Sequence, residues 1–315
     1  MNEHHGHHGH SHPSTFDEVL AQGFPEHLLA DAWRAHRQTL SRAALGIAPR
    51  RIETTIESAA ATVRKNQTGL SDEEKAAYRN AVSMLVDEGK YLELVNHHRD
   101  MSHNMHGSMG FVGLLRFLAW HRRYLVEFER ELQRADRELR PQCAELLGVP
   151  YWRWPDPFPD WMHDFLPQND PESGAIPPPR KNADPPEKAK TTDISIIVTG
   201  FAGQLPAVDV NDYIRFTYGL EGFGMRPDGT SLPAHNHGHA WIGGIMNNTR
   251  NSPTDPIFWL HHCEVDRLWQ IWRLDHPDLH PPLNGADRIL DPWPDAYDDV
   301  LAISSLGYQF QSLDP

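Results

Sequence analysis

The sequence predicts a mainly helical fold with long loops and few short strands. The longest helical pattern covers residues 111–139, where apolar side chains and His121 share one stripe. A capping signature at residues 71–74 begins an earlier helix, and a last long helix is expected from about Pro256 to Leu274. Segments in which apolar and polar residues alternate, as they do in strands, are scarce.

Three regions are expected along the chain. Residues 1–14 have six histidines in the first twelve positions and little apolar character, so they are predicted to be a disordered arm. Residues 15–58 are predicted to be an N-terminal helical extension, and residues 59–315 the main domain. Ten prolines between Pro155 and Pro186 predict a long surface excursion within that domain.

Composition excludes several classes of protein. The net charge of −14 argues against nucleic-acid binding, and two cysteines exclude a disulfide scaffold or a multi-cysteine metal site. The sequence contains no run of about 18 apolar residues, so no membrane span is predicted. The N-terminus has no basic segment followed by an apolar one. We therefore expect a cytoplasmic location, with export alongside a partner left open.

The unusual feature is the placement of histidines on apolar helical faces. His235 and His239 are four residues apart and so share a face, while the last helix contains the pair His261–His262. A buried imidazole is costly unless both of its nitrogens are used, as they are in a metal ligand. Any one of these histidines could be an ordinary core residue, but together they predict two metal-binding sets. These are His98, His103 or His106, and His121 in the first half, and His235, His239 and one of the His261–His262 pair in the second.

The donor type indicates the chemistry of these sets. Imidazole-only sets suit copper, zinc, iron or nickel, and the affinity order favours copper. Hydrolytic binuclear sites use bridging carboxylates instead, whereas neutral ligands stabilise the lower charge of Cu(I). The histidine sets therefore favour dioxygen chemistry over hydrolysis.

Five segments resemble the type-3 copper proteins, the family of tyrosinases, catechol oxidases and molluscan haemocyanin domains. The two main motifs are FLAWHRRYLVEFE at 117–129 and DPIFWLHHCEVD at 255–266. The HNxxHxWIGG pattern at 235–244, VRKN at 63–66 and YQF at 308–310 also match. The resemblance covers about residues 60–310 and implies a four-helix bundle core that houses a binuclear copper site.

The resemblance also implies which residues bind copper. His262 is the family ligand of the pair in the second motif, and His106 is the candidate for a loop position that the family fills differently, with His103 in reserve. The implied CuA ligands are His98, His106 and His121, and the implied CuB ligands are His235, His239 and His262.

The implied activity is copper-dependent oxidation of a small phenolic substrate with O2 as co-substrate. Monophenols would be hydroxylated at the ortho position, o-diphenols would be oxidised to o-quinones, or both. Glu221 and Asn236 match the family residues that hold a water acting as the base. Thr249 and Ala240 are small residues near the site, and the chain ends just after YQF, so we expect open substrate access.

Other functions are compatible with the same residues. An o-aminophenol oxidase would use the same copper core, and a haemocyanin-like oxygen carrier or a zinc protein would use the same histidines. The resemblance also implies a copper-delivery helper protein as a possible partner. The histidines of residues 1–14 could gather copper ions in place of such a helper, or these residues could be only a disordered tail.

Overall fold

The computed structural model describes residues 14–23, 61–165, 167–181, 212–224 and 233–314. Most of the predicted arm and of the predicted extension lie outside these residues. The described helices and strands, in chain order, are α1 Phe16–Gln22, β1 Thr62–Arg64, α2 Asp72–Asp87, α3 Lys90–Arg99, α4 Phe111–Leu139, α5 Asp212–Glu221, α6 His235–Ile242, α7 Ile257–Asp275 and β2 Tyr308–Phe310.

The helix boundaries follow from the local sequence. At the start of α2, the Ser71 hydroxyl accepts a hydrogen bond from the backbone N–H of Glu74, and the Glu74 carboxylate accepts one from the backbone N–H of Ser71. This reciprocal capping satisfies two N–H groups that a helix leaves unpaired. The predicted helices at 111–139 and near 256–274 are both confirmed.

Helix α4 is the centre of the molecule. It has 29 residues, and it packs against α2, α3, α5 and α7. Phe128 of α4 stacks on Trp259 of α7 with ring centroids 3.9 Å apart. Because α4 and α7 pack through large aromatic rings, the histidines that they carry are held at fixed positions relative to each other.

A buried charge cluster joins the two ends of the domain behind these helices. Strands β1 and β2 pair in parallel, and Arg64 of β1 lies over the ring of Tyr308 of β2, 3.5 Å from its centroid. Arg64 also pairs with Glu129 of α4 and Asp266 of α7, each at 2.9 Å. Asp266 accepts further hydrogen bonds from Arg122 and Tyr308. The cluster therefore ties α4 and α7 together, and the two matched end segments, VRKN and YQF, lie side by side.

The proline-rich stretch is irregular, as predicted. Its described parts, 155–165 and 167–181, contain no helix longer than the three-residue turn Asp160–Met162. Arg180 anchors the stretch by an ion pair with the buried Asp255, just before α7. None of the described helices combines the length and the apolar character needed to cross a membrane.

Candidate metal centre

Three histidines of the first half converge in the core. His98 lies in the last turn of α3 and His121 in the middle of α4, whereas His106 lies in the loop between these helices. We call these residues group A. The Nε2 atoms of His98 and His106 are 3.2 Å apart, and all three side chains are buried. The three residues can each offer one ligand atom within 4.8 Å of the other two.

A close backbone approach positions His106. A Cβ atom at Gly113, in the first turns of α4, would lie only 2.1 Å from the backbone oxygen of His106. Only glycine lets the loop come this close to the helix. The next residue, Gly107, donates its backbone N–H to Glu221 Oε1 at 2.8 Å. The position of His106 therefore depends on contacts with two other elements, α4 and α5.

Three histidines of the second half form a tighter cluster, which we call group B. His235 and His239 lie one turn apart on α6, and His262 lies on α7. Their Nε2 atoms are 3.0–3.2 Å from one another. Among the described residues, groups A and B are the two places where three or more possible ligands of this kind converge.

The remaining ring nitrogens of four of these histidines face oxygen acceptors. His98 Nδ1 lies 3.1 Å from the Arg250 carbonyl, and His121 Nδ1 lies 2.8 Å from that of Phe117. His239 Nδ1 lies 2.9 Å from the Met246 carbonyl, and His235 Nδ1 lies 2.9 Å from Asn236 Oδ1. An oxygen of this kind can only accept, so the proton is on Nδ1 and the lone pair is on Nε2.

Burial keeps these imidazoles neutral. It lowers the pKa of His106 to about 3, and it lowers the pKa of the other five well below the ordinary value for histidine. Neutral Nε2 atoms that face one another would present lone pair to lone pair. His121 Nε2 is buried with no hydrogen-bond partner among the described residues. A metal cation at each group resolves both problems, so the donor sets fit metal ions.

The two groups lie next to each other where α4 packs against α7. The rings of His121 and His262 stack with centroids 4.4 Å apart and an angle of 19° between planes. His106 and His235 also stack, at 6.0 Å. Two metal ions held by these groups would therefore be neighbours in one centre.

Two further histidines are distinguished from the groups by their contacts. His261 also lies next to group B, but its Nδ1 accepts a hydrogen bond from Trp154 Nε1 at 3.0 Å. His103 lies outside group A, stacked on Trp120 and 3.8 Å from Asp100. The structure thus brings His106 and not His103 into group A. No sequence pattern signals the contact between Trp154 and His261.

Glu221 and Asn236 lie beside both groups. Glu221 Oε1 is 3.4 Å from His106 Nδ1, and the Glu221 backbone oxygen is 3.3 Å from His235 Nδ1. Burial raises the pKa of Glu221 well above its ordinary value. Since the pKa of His106 is lowered, both shifts favour neutral groups, and the contact is not an ion pair. Glu221 Oε2 and Asn236 Nδ2 are buried without a hydrogen-bond partner among the described residues.

Comparison with known proteins identifies the family. The family model described as the common central domain of tyrosinase matches residues 88–195 and 166–275. The tyrosinase of Streptomyces glaucescens is 31% identical over 287 residues, which cover 80% of this chain and 99% of that protein. The chain belongs to the tyrosinase family.

Solved structures support the same fold at lower identity. Mushroom tyrosinase is 16% identical with a TM-score of 0.55, over 81% of this chain and 63% of that one. A functional unit of octopus haemocyanin is 18% identical with a TM-score of 0.51, over 81% and 69% of the two chains. The predicted mainly helical fold is therefore confirmed.

Membership in the tyrosinase family makes the chain a copper-dependent phenol oxidase that acts on small phenolic substrates. The predicted binuclear copper cofactor is likewise confirmed, because the family domain implies it and groups A and B fit its two positions.

The two residues predicted to leave this tyrosinase-family site open, Thr249 and Ala240, do not lie on an exposed surface of the structure. Thr249 is buried, and its backbone N–H donates to the Ser14 carbonyl at 3.0 Å. Ala240 is also buried, and its carbonyl accepts a hydrogen bond from Lys181. The ring of Phe16, in α1, stacks directly on the imidazole of His239. A segment more than 200 residues away in sequence therefore lies against this side of the site.

Proposed function

We propose that groups A and B each hold one copper ion, and that the enzyme hydroxylates monophenols as well as oxidising o-diphenols. The observation that carries the ligand assignment is the convergence of neutral imidazoles in two adjacent groups. The Nε2 atoms of group B are 3.0–3.2 Å from one another, those of His98 and His106 in group A are 3.2 Å apart, and the ligand atom of His121 lies within 4.8 Å of those two. Copper bound there would activate dioxygen and accept electrons from the phenol. His261 is left out of the ligand set because its Nδ1 lone pair is used by Trp154.

Glu221 and Asn236 support the monophenol reaction. A phenol has a pKa of about 10, so its hydroxylation requires a base near the site. The unpartnered Glu221 Oε2 and Asn236 Nδ2 offer an acceptor and a donor to a buried water. The charge of nearby copper ions would favour the ionised carboxylate over the neutral acid that burial alone favours. We propose that this pair holds the water that takes the phenol proton.

Copper loading requires access to deeply buried ligands. All six histidines of groups A and B are at most 2% exposed. We propose that a helper protein delivers copper while the site is open, and that the open form is the one that the helper recognises.

Oxygen uptake on three substrates tests the proposal. The copper-loaded enzyme is given tyrosine, a catechol or an o-aminophenol, and the same protein stripped of metal by a chelator is the control. We expect uptake with tyrosine and with the catechol, and none without copper. Oxygen uptake with the catechol but not with tyrosine would contradict the monophenol reaction. Oxygen uptake with the o-aminophenol alone would show that the substrates are o-aminophenols and not phenols. Reversible oxygen binding without turnover would indicate a carrier.

A further inference from the structure

We propose that residues 14–23 are an intramolecular plug, in which Phe16 occupies the position that the substrate ring must take. The inference rests on the proposed function, because it assigns the occupied position to a phenol. It predicts that this enzyme binds its substrate only when the plug has opened.

The contacts of Phe16 are with the metal-binding histidines. Its ring lies parallel to that of His239, with centroids 3.9 Å apart and 15° between planes. It meets His235 edge-on at 5.7 Å and His106 edge-on at 6.3 Å. Phe16 is 2% exposed, so it fills the space that it reaches. One aromatic side chain therefore touches ligands of both groups.

A phenyl group differs from a phenol only by the hydroxyl. Any substrate that reacts at this centre must bring its ring against the same histidines, where offset-parallel stacking is favourable. The interior is close-packed, so Phe16 and a substrate ring cannot share the space. Phe16 thus competes with the substrate ring for this space. Because Phe16 belongs to the same chain, its effective concentration at the site is set by the backbone that holds it nearby.

The anchors of the plug are few and lie mainly at the surface. The Asp17 backbone N–H donates to Asn247 Oδ1 at 3.1 Å, and Asn247 Nδ2 donates back to Asp17 Oδ2 at 2.9 Å. Thr15 forms an isolated bridge with Asn248. Exposed hydrogen bonds of this kind are easily exchanged for water.

The helix itself adds little to the stability of the plug. Helix α1 has seven residues, fewer than the length at which an isolated helix is stable, and only Phe16 and Val19 are buried in it. A segment held by two apolar side chains and a few surface hydrogen bonds can open without unfolding the domain.

The plug has a defined kinetic consequence. For a ligand that binds only the open form, the apparent affinity equals the intrinsic affinity multiplied by the fraction of chains that are open. If the plug is closed in about four chains of five, the apparent KM is raised about fivefold and kcat is unchanged. A residue with a merely structural role would instead change kcat and the melting temperature together.

Steady-state kinetics of Phe16→Ala test this consequence. We expect the apparent KM for a monophenol to fall about fivefold, with kcat and copper content unchanged. Gln22→Ala, at an exposed position of the same helix, is the matched control and should leave KM unchanged. Equal KM values for the wild type and Phe16→Ala, with activity intact, would overturn the plug. If neither protein oxidised any phenol, the proposed function would fail instead.

Hydrogen exchange provides a test without turnover. The Thr249 and Asp17 amides are protected by contacts between the plug and the domain. In the copper-loaded enzyme, benzoate at a concentration that inhibits competitively should speed the exchange of both amides by up to about fivefold, because the open fraction rises from about one chain in five towards all chains. The Lys181 amide, bonded to the Ile242 carbonyl nearby, should not change. Unchanged exchange at Thr249 and Asp17 would show that a bound ring does not displace Phe16.

Discussion

The two halves of the centre are built in different ways. Group B consists of three helical residues whose Nε2 atoms converge within 3.0–3.2 Å, and the spacing of His235 and His239 follows from the helical repeat. Group A takes one of its three histidines, His106, from a loop that is fixed by its contacts with Gly113 and Glu221. A metal half-site can therefore be encoded locally by helix periodicity or non-locally by packing, and this molecule uses both.

The largest effect is expected at the residue that contacts both halves. Glu221→Gln keeps an oxygen that can accept from the Gly107 N–H, but it removes the carboxylate. We expect kcat for a monophenol to fall about 10²–10⁴-fold, the usual contribution of a general base, and kcat for an o-diphenol to fall far less. The ratio of the two rates in one preparation is the measurement. A parallel loss on both substrates would mean that Glu221 acts only by positioning His106.

The buried charge cluster joins α4 and α7, so a substitution in the cluster should lower the stability of the whole domain and not of one half alone. Asp266→Asn leaves Arg64 and Arg122 without their shared buried carboxylate, which should lower the free energy of unfolding by about 3–5 kcal/mol. Glu93→Gln removes a solvent-exposed pair with Lys90 and should leave the free energy of unfolding almost unchanged. Denaturant unfolding measures both values. A similar change in the free energy of unfolding of the two variants would show that the cluster does not hold α4 and α7 together.

A pair of glycine substitutions should separate the halves. A Cβ at Gly113 meets the backbone oxygen of His106 at 2.1 Å, whereas a Cβ at Gly238 meets the side chain of His261 at 2.3 Å. We expect Gly113→Ala to weaken copper binding by group A about 10- to 100-fold, as loss of ligand support does elsewhere.

The matched Gly238→Ala variant should perturb group B through His261, leaving group A loaded. Copper titration of both variants makes the comparison. Tighter or unchanged copper binding in Gly113→Ala would mean that the loop can move away from the added Cβ at no cost. Alanine ordinarily stabilises a helix by about 1 kcal/mol relative to glycine, so weaker binding would not be explained by a less stable α4.

The smallest effect is expected at His103. It stacks on Trp120 outside group A, so His103→Ala should leave the copper content unchanged. Loss of one copper ion per chain would instead make His103 the loop ligand and displace His106 from that role.

The same contrast explains what the sequence could predict. His121 stands on the apolar face of a long helix, so periodicity places it in the core. Periodicity leaves open the choice between His261 and His262, which are both buried, and the family resemblance selects His262. The choice of His106 over His103 needed a family resemblance, because a loop has no repeat from which to infer direction. The stacking of Phe16 on His239 could not be inferred, since the contact spans more than 200 residues and no local pattern encodes it. The capping box of Thr15 and Glu18 could have shown where α1 begins, but not what its first residue covers.

Copper content of ligand variants tests most directly whether two copper ions are held by two separate histidine groups. We predict two copper ions per chain in the wild type and about one in each of His106→Ala and His262→Ala, because each substitution leaves the three histidines of the other group intact. Two copper ions in either variant, or a wild type that binds only one, would contradict the assignment.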